Sequence, residues 1–284
     1  MASPMSRRID MALFDSHCHL VFNPEEHPAQ AQLERARATG LGMMVCVAVD
    51  LDSAVACRTL AEKEPDVLAS IGIHPNDCGP AESLLGRMDT LGELAREGGW
   101  VAVGETGMDF YRDSTPPRVQ EDSFRAHLEL AQTLDLPVII HCRHAGPAVL
   151  EILRDQKREI RGVMHCWSEG PDLVVDLLEL GLHFSFAGNL TYPKADSIRA
   201  SSRLVPSSRL LIETDAPFLA PQPVRGQRNE PAHIRHTLEA LASVREEDPT
   251  ALEASTWAAG RSLFLPDPGG DQGLTGKDST SPVE

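Results

Sequence analysis

Short continuous apolar runs alternate along this chain with longer stretches in which apolar residues recur every three or four positions. The runs at 11–14, 42–49, 67–73, 100–103, 137–140, 162–164, 183–186 and 210–212 read as strands buried on both faces. Between them, residues 24–40, 53–63, 84–97, 118–134, 148–157, 173–180 and 194–204 have helical spacing, and glycines such as Gly40 and Gly98 close two of these stretches. Two more helices are expected over 232–244 and 249–264. A strand that alternates with a helix at this rhythm builds a parallel sheet, and about eight such units fit a closed α/β (β/α)8 TIM barrel of roughly 250 residues. An open doubly wound sheet would carry a glycine-rich phosphate turn after an early strand, and none is present.

The barrel is expected to occupy 11–265, after an N-terminal extension at 1–10. From 266 to 284 the composition turns to Gly, Asp, Ser, Thr and Pro with almost no large apolar residue, which predicts a disordered tail. No run approaches the ~18 uncharged apolar residues of a membrane span. The first ten residues hold Arg7, Arg8 and Asp10 rather than the apolar segment of a signal peptide, so a cytoplasmic protein without membrane contact is expected. Six cysteines without a C-x-x-C pair form neither a disulfide framework nor a zinc ribbon. Cys18, Cys142 and Cys166 each follow a histidine, and strand alternation would turn their thiols away from the imidazole face. The net charge of −16, from 26 basic and 42 acidic residues, argues against broad attraction to nucleic acid. It leaves room for a polyanion held at one locally positive site.

Candidate chemistry starts in Asp15-Ser16-His17-Cys18-His19, where strand alternation puts Asp15, His17 and His19 on one face. Further ligand-type residues stand at or just after the other strand ends: His74, Glu105, His141, His165 and Asp215. This set can hold two divalent ions, with His17, His19 and Asp215 at one, His141 and His165 at the other, and Glu105 between them. Imidazoles favour Zn²⁺ or another transition ion, while carboxylates and water would accept Mg²⁺ or Mn²⁺. His27, His127, His183, His233 and His236 fall in helices or mid-strand and read as structural, and His144 is ambiguous because it lies just beyond a strand end.

Ordered segments then carry a resemblance. They are Leu13-Phe14-Asp15-Ser16-His17-Cys18-His19-Leu20, Gly72-Ile73-His74-Pro75 and Gly104-Glu105-Thr106-Gly107-Met108-Asp109-Phe110-Tyr111. Further on come Pro137-Val138-Ile139-Ile140-His141-Cys142-Arg143, His165-Cys166-Trp167, the stretch from Glu213-Thr214-Asp215 to Pro221, and Arg225-Gly226-Gln227-Arg228-Asn229-Glu230-Pro231. Over 11–264 the chain resembles the TatD family of metal-dependent hydrolases, within the amidohydrolase-like barrels. The resemblance implies metal-dependent phosphodiester hydrolysis, commonly exonucleolytic on DNA, with single-stranded ends as substrate. It implies His17, His19, Glu105, His141, His165 and Asp215 as metal ligands, with Glu105 and Asp215 as the catalytic carboxylates and Asp215 as general base. His74, Arg225 and Arg228 would contact the phosphate.

The chain departs from the family pattern at His144, usually acidic; at Trp167, usually Phe, which would stack on a base or pack; at Asn76, often His; and at Ala258-Ala259-Gly260, which replaces an asparagine. Two other readings use the same residues. One is an amide or ester hydrolase, such as an aminoacyl-tRNA deacylase, and the other is a metal-binding interaction module without catalysis.

Overall fold

A computed structural model describes residues 13–265, so the extension at 1–10 and the tail at 266–284 lie outside the described residues. Eight parallel strands follow one another round the sheet in chain order. They are β1 (Leu13–Cys18), β2 (Leu41–Cys46), β3 (Val67–Ile71), β4 (Ala102–Asp109), β5 (Val138–Arg143), β6 (Gly162–Met164), β7 (His183–Phe186) and β8 (Leu210–Ile212). The helices are α1 (Ala29–Ala38), α2 (Leu51–Ala61), α3 (Ala81–Arg96), α4 (Pro117–Leu134), α5 (Gly146–Arg154), α6 (Val174–Glu179), α7 (Asp196–Leu204), α8 (Ile234–Arg245) and α9 (Pro249–Phe264). The ring closes between the first and last strands at their C-terminal ends. There the amide of His19 donates to the carbonyl of Ala216 at 2.7 Å, and that of Asp215 to the carbonyl of His17 at 2.9 Å. This is the expected (β/α)8 barrel. Among the described residues no helix is long and apolar enough to cross a membrane.

Three strands run further than their apolar stretches. β1 continues through His17, β4 past Val103 to Asp109, and β5 through His141. The backbone ladder persists while the inward side chains turn polar, so hydrophobicity marks only the lower part of each strand. The first helix starts at Ala29 rather than at residue 24, with Pro28 at its N-cap.

Two packed layers hold the barrel. Inside, Phe14, Val45, Ala102, Ile139, Val163 and Leu211 meet Leu263 and Phe264, so α9 plugs the N-terminal end. The rings of Phe14 and Phe264 stack at 5.9 Å, and a Cβ on Gly260 would come within 2.8 Å of the Phe14 ring. Gly260 therefore leaves room for that ring. The outer layer packs the strands against the helices, with Leu33, Leu91, Phe124 and Leu238 among its buried residues. His127 is structural, as expected. Its Nε2 accepts from the Ile73 amide at 3.0 Å and its Nδ1 donates to the Ser123 carbonyl at 2.7 Å, while burial depresses its pKa to about 4.

Cys18 and Cys142 are buried free thiols, and Cys18 Sγ turns back to the Val45 carbonyl. Cys166 departs from the expected alternation: it lies beyond β6 in a left-handed turn (φ 46°), is half-buried, and receives Asn189 Nδ2 at 3.7 Å. Trp167 packs. It is fully buried, edge-on to Phe184, with its indole N–H donated to the Gly170 carbonyl at 2.9 Å.

Candidate metal centre

Glu105, buried on β4, sits at the centre of the cluster, and its two carboxylate oxygens face different partners. Oε1 lies 2.7 Å from His141 Nδ1 and 2.8 Å from His165 Nε2. Oε2 lies 3.3 Å from His17 Nε2 and 3.8 Å from His19 Nε2. Asp215 Oδ1 completes the second group, 3.5 Å from His19 Nε2 and 3.8 Å from His17 Nε2. All six residues expected as ligands thus come together in two sets joined by one carboxylate.

The imidazoles are oriented from behind. His141 Nε2 donates to Asp109 Oδ2 at 3.2 Å, His165 Nδ1 to Glu213 Oε1 at 3.3 Å, and His19 Nδ1 to the Val47 carbonyl at 3.1 Å. Carboxylate and carbonyl oxygens only accept, so when an ion takes the place of the inner proton each of these three rings would offer it a nitrogen lone pair. His17 is held differently: its ring stacks on His165 at 4.0 Å, and its buried Nδ1 has no partner among the described residues.

The donor set fits divalent cations on two grounds. Nitrogens bound to one tetrahedral ion at ~2.0–2.1 Å stand about 3.3 Å apart. His17 Nε2 and His19 Nε2 are 3.2 Å apart, and His141 Nδ1 and His165 Nε2 are 3.3 Å apart. Charge is the second ground. Burial pushes the Glu105 carboxyl up, yet the surrounding imidazoles outweigh it and hold the group well below its usual range. Burial likewise opposes protonation of His19 and His165, yet the facing carboxylates raise His19 to about 9 and His165 well above its ordinary value. The carboxylates demand positive charge in a pocket with little water, and metal ions supply it while leaving the imidazoles neutral.

A family model described as "TatD related DNase" matches residues 14–265. The chain belongs to this family. The chain is 37% identical over 240 residues to the "Uncharacterized metal-dependent hydrolase YcfH" of Escherichia coli (strain K12), covering 83% of this chain and 89% of that protein. It is 33% identical over 258 residues to the "3'-5' ssDNA/RNA exonuclease TatD" of Klebsiella pneumoniae (strain 342), covering 89% of this chain and 97% of that protein. Among solved structures, the TatD homologue YJJV of Escherichia coli superposes with a TM-score of 0.82 at 28% identity, covering 90% of this chain and 99% of that one. The chain is therefore a TatD-family metal-dependent hydrolase.

Of the three residues that the resemblance places on the phosphate, His74 stands close enough to Glu105 and His141 to share an ion with them, while Arg225 and Arg228 lie on the loop after β8. His74 Nδ1 accepts from the Asn76 amide at 3.1 Å, so Nε2 carries the hydrogen and points it at Glu105 Oε1, 3.5 Å away. Burial keeps this ring neutral, with a pKa of about 3. Arg225 lies on the loop after β8 with its guanidinium 4.0 Å above the Tyr192 ring. Arg228 donates to the Phe22 carbonyl at 3.2 Å.

Sequence reasoning missed Asp109 and Glu213 and misplaced Asp15. Asp109 is the most connected. It accepts from the amides of Tyr111 and Arg112 at 2.9 and 3.0 Å, from Asn76 Nδ2 at 2.9 Å, and from His141. Asn76 thereby serves the TatD-type site from behind, and Asp109 orients His141 although His144 is not acidic. Asp15 does not join His17 and His19. Its carboxylate is buried against the amide and hydroxyl of Thr214 at 2.9 and 2.6 Å, with burial raising its pKa to about 7.

Asp109→Asn is expected to weaken metal affinity about 10- to 100-fold. If the amide oxygen keeps the two backbone N–H groups, its NH₂ faces two other donors, and His141 must turn a proton toward the ions. Metal titration of the apoprotein checks this, and an unchanged affinity would remove Asp109 from the site.

Proposed function

We propose that this chain hydrolyses phosphodiester bonds at the ends of single-stranded nucleic acid, DNA in particular, with two divalent cations. The observation that carries the reading is the division of Glu105, one oxygen toward His17 and His19 and the other toward His141 and His165. His17, His19 and Asp215 would hold one ion, His141 and His165 the other, and Glu105 both. Their imidazole-rich shell favours Zn²⁺ or a similar transition ion over Mg²⁺. When bound, the ions would lower the pKa of a water and offset charge growing on the phosphate.

The remaining work falls to the protein. Asp215, partly open to solvent, receives the proton of the attacking water. His74 offers a neutral N–H to a nonbridging phosphate oxygen, and Arg225 and Arg228 present guanidinium groups to flanking phosphates. Relatives named "3'-5' ssDNA/RNA exonuclease TatD" support the choice of unpaired ends.

The test is hydrolysis of end-labelled single-stranded DNA by chelator-stripped protein, with Zn²⁺, Mn²⁺ or Mg²⁺ added back. The expected result is a ladder from one end that requires metal and saturates at two ions per chain. Metal binding without any cleavage, together with turnover of acyl esters, would replace this reading with the acyl hydrolase.

A further inference from the structure

Four aromatic side chains stand in solvent at the mouth of the barrel. Phe22 is 41% exposed, Phe110 42%, Tyr111 59% and Phe218 47%, and all four lie in loops that follow the C-terminal ends of β1, β4 and β8. Among the described residues, the other exposed large apolar side chains, Val55, Leu85, Val175 and Leu204, are aliphatic and sit on outer helices. Exposed rings are thus gathered at the end of the molecule that holds the metal centre.

Two of them form a path into it. Phe22 meets Phe218 edge to face, with centroids 5.5 Å apart and planes at 67°. Phe218 in turn stands edge-on to the candidate ligand His19 at 6.0 Å. Arg228 flanks the outer ring, with its guanidinium carbon 5.9 Å from the Phe22 centroid and one N–H anchored on the Phe22 carbonyl. A ring pair reaching from solvent to a ligand imidazole, with a guanidinium beside it, offers stacking and a phosphate contact in one place. That combination suits unpaired bases on a charged backbone.

We propose that Phe22 and Phe218 form a stacking platform for unpaired bases next to the bond being cut, with Arg228 on an adjoining phosphate. This rests on the phosphodiesterase reading above. A base paired in a duplex cannot reach the platform, so the same two rings select single strands.

The test compares wild type with the Phe22→Ala/Phe218→Ala variant on two substrates, single-stranded DNA and the same oligonucleotide with abasic terminal positions. On intact DNA the KM is expected to rise roughly five- to a hundredfold. On abasic DNA the two proteins should agree within about twofold, because neither can stack a missing base. Phe22→Trp and Phe218→Tyr should restore the intact-DNA value. Equal losses on both substrates would mean that the rings only support His19, and would overturn the proposal. An unchanged KM on intact DNA would overturn it too while leaving the nuclease reading in place. A wild type that cleaves neither substrate would remove the nuclease reading and this inference with it.

Discussion

Glu105→Gln is expected to lower metal-dependent hydrolysis at least about a thousandfold in kcat/KM, a loss of roughly 4 kcal/mol in transition-state stabilisation. Glutamine keeps the size of the side chain and removes its double function. One amide end is a carbonyl that can still accept, and the other is an NH₂ that can only donate. Whichever way it turns, the NH₂ faces a pair of ring nitrogens, His17 with His19 or His141 with His165, and competes with an ion for their lone pairs. Metal analysis of the purified variant should therefore find at most one ion per chain, against the two proposed for wild type. Circular dichroism should show an intact barrel, since a neutral side chain of equal volume replaces a buried anion. Near-normal turnover or a full metal complement would mean that Glu105 does not join the two halves.

How much of this was legible in the chain depended on what each residue does. His17 and His19 could be paired from sequence because a period of two is local, and so could the barrel, because each strand is a short apolar run ended by polar residues. β4 was harder. Its apolar part stops at Val103, so apolar pattern alone ends the strand before Glu105 and Asp109. Had it been continued, the same alternation would have put Asp109 on the face of Glu105 and marked it as a partner for an imidazole. Alternation from Asp215 likewise reaches Glu213, which orients His165. Asp15 shows the reverse error: alternation put it with the two histidines, but the Thr214 amide and hydroxyl next to β1 take its carboxylate instead. No local signal separates these cases, because which polar group faces an acidic side chain is decided across strands far apart in sequence. The exposure of Phe22 and Phe218 is of the same kind. In the sequence they look like any core phenylalanine, and only the closed barrel leaves them at its mouth.

Gly107→Ala is expected to destabilise the protein by more than about 4 kcal/mol and to abolish metal binding, although it changes no ligand. Gly107 has φ 140°, a region that L side chains rarely enter, and it pairs directly with His141 across β4 and β5. A Cβ here would overlap the carbonyl oxygen of His141, a backbone atom that no rotamer change can move aside. Relief requires β4 and β5 to part between Glu105 and Asp109, opposite His141, and the spacing of Glu105 and His141 is what the proposed metal centre depends on. Stability and metal affinity should therefore fall together, measured as the urea midpoint and as metal content after dialysis. Gly86→Ala supplies the contrast: on α3 its new methyl meets nothing within 4 Å. There the gain in helix propensity should raise stability by about 0.8–1 kcal/mol. If Gly107→Ala unfolds within about 1 kcal/mol of wild type and keeps its ions, the close approach of β4 to β5 is not what sets the geometry of the centre.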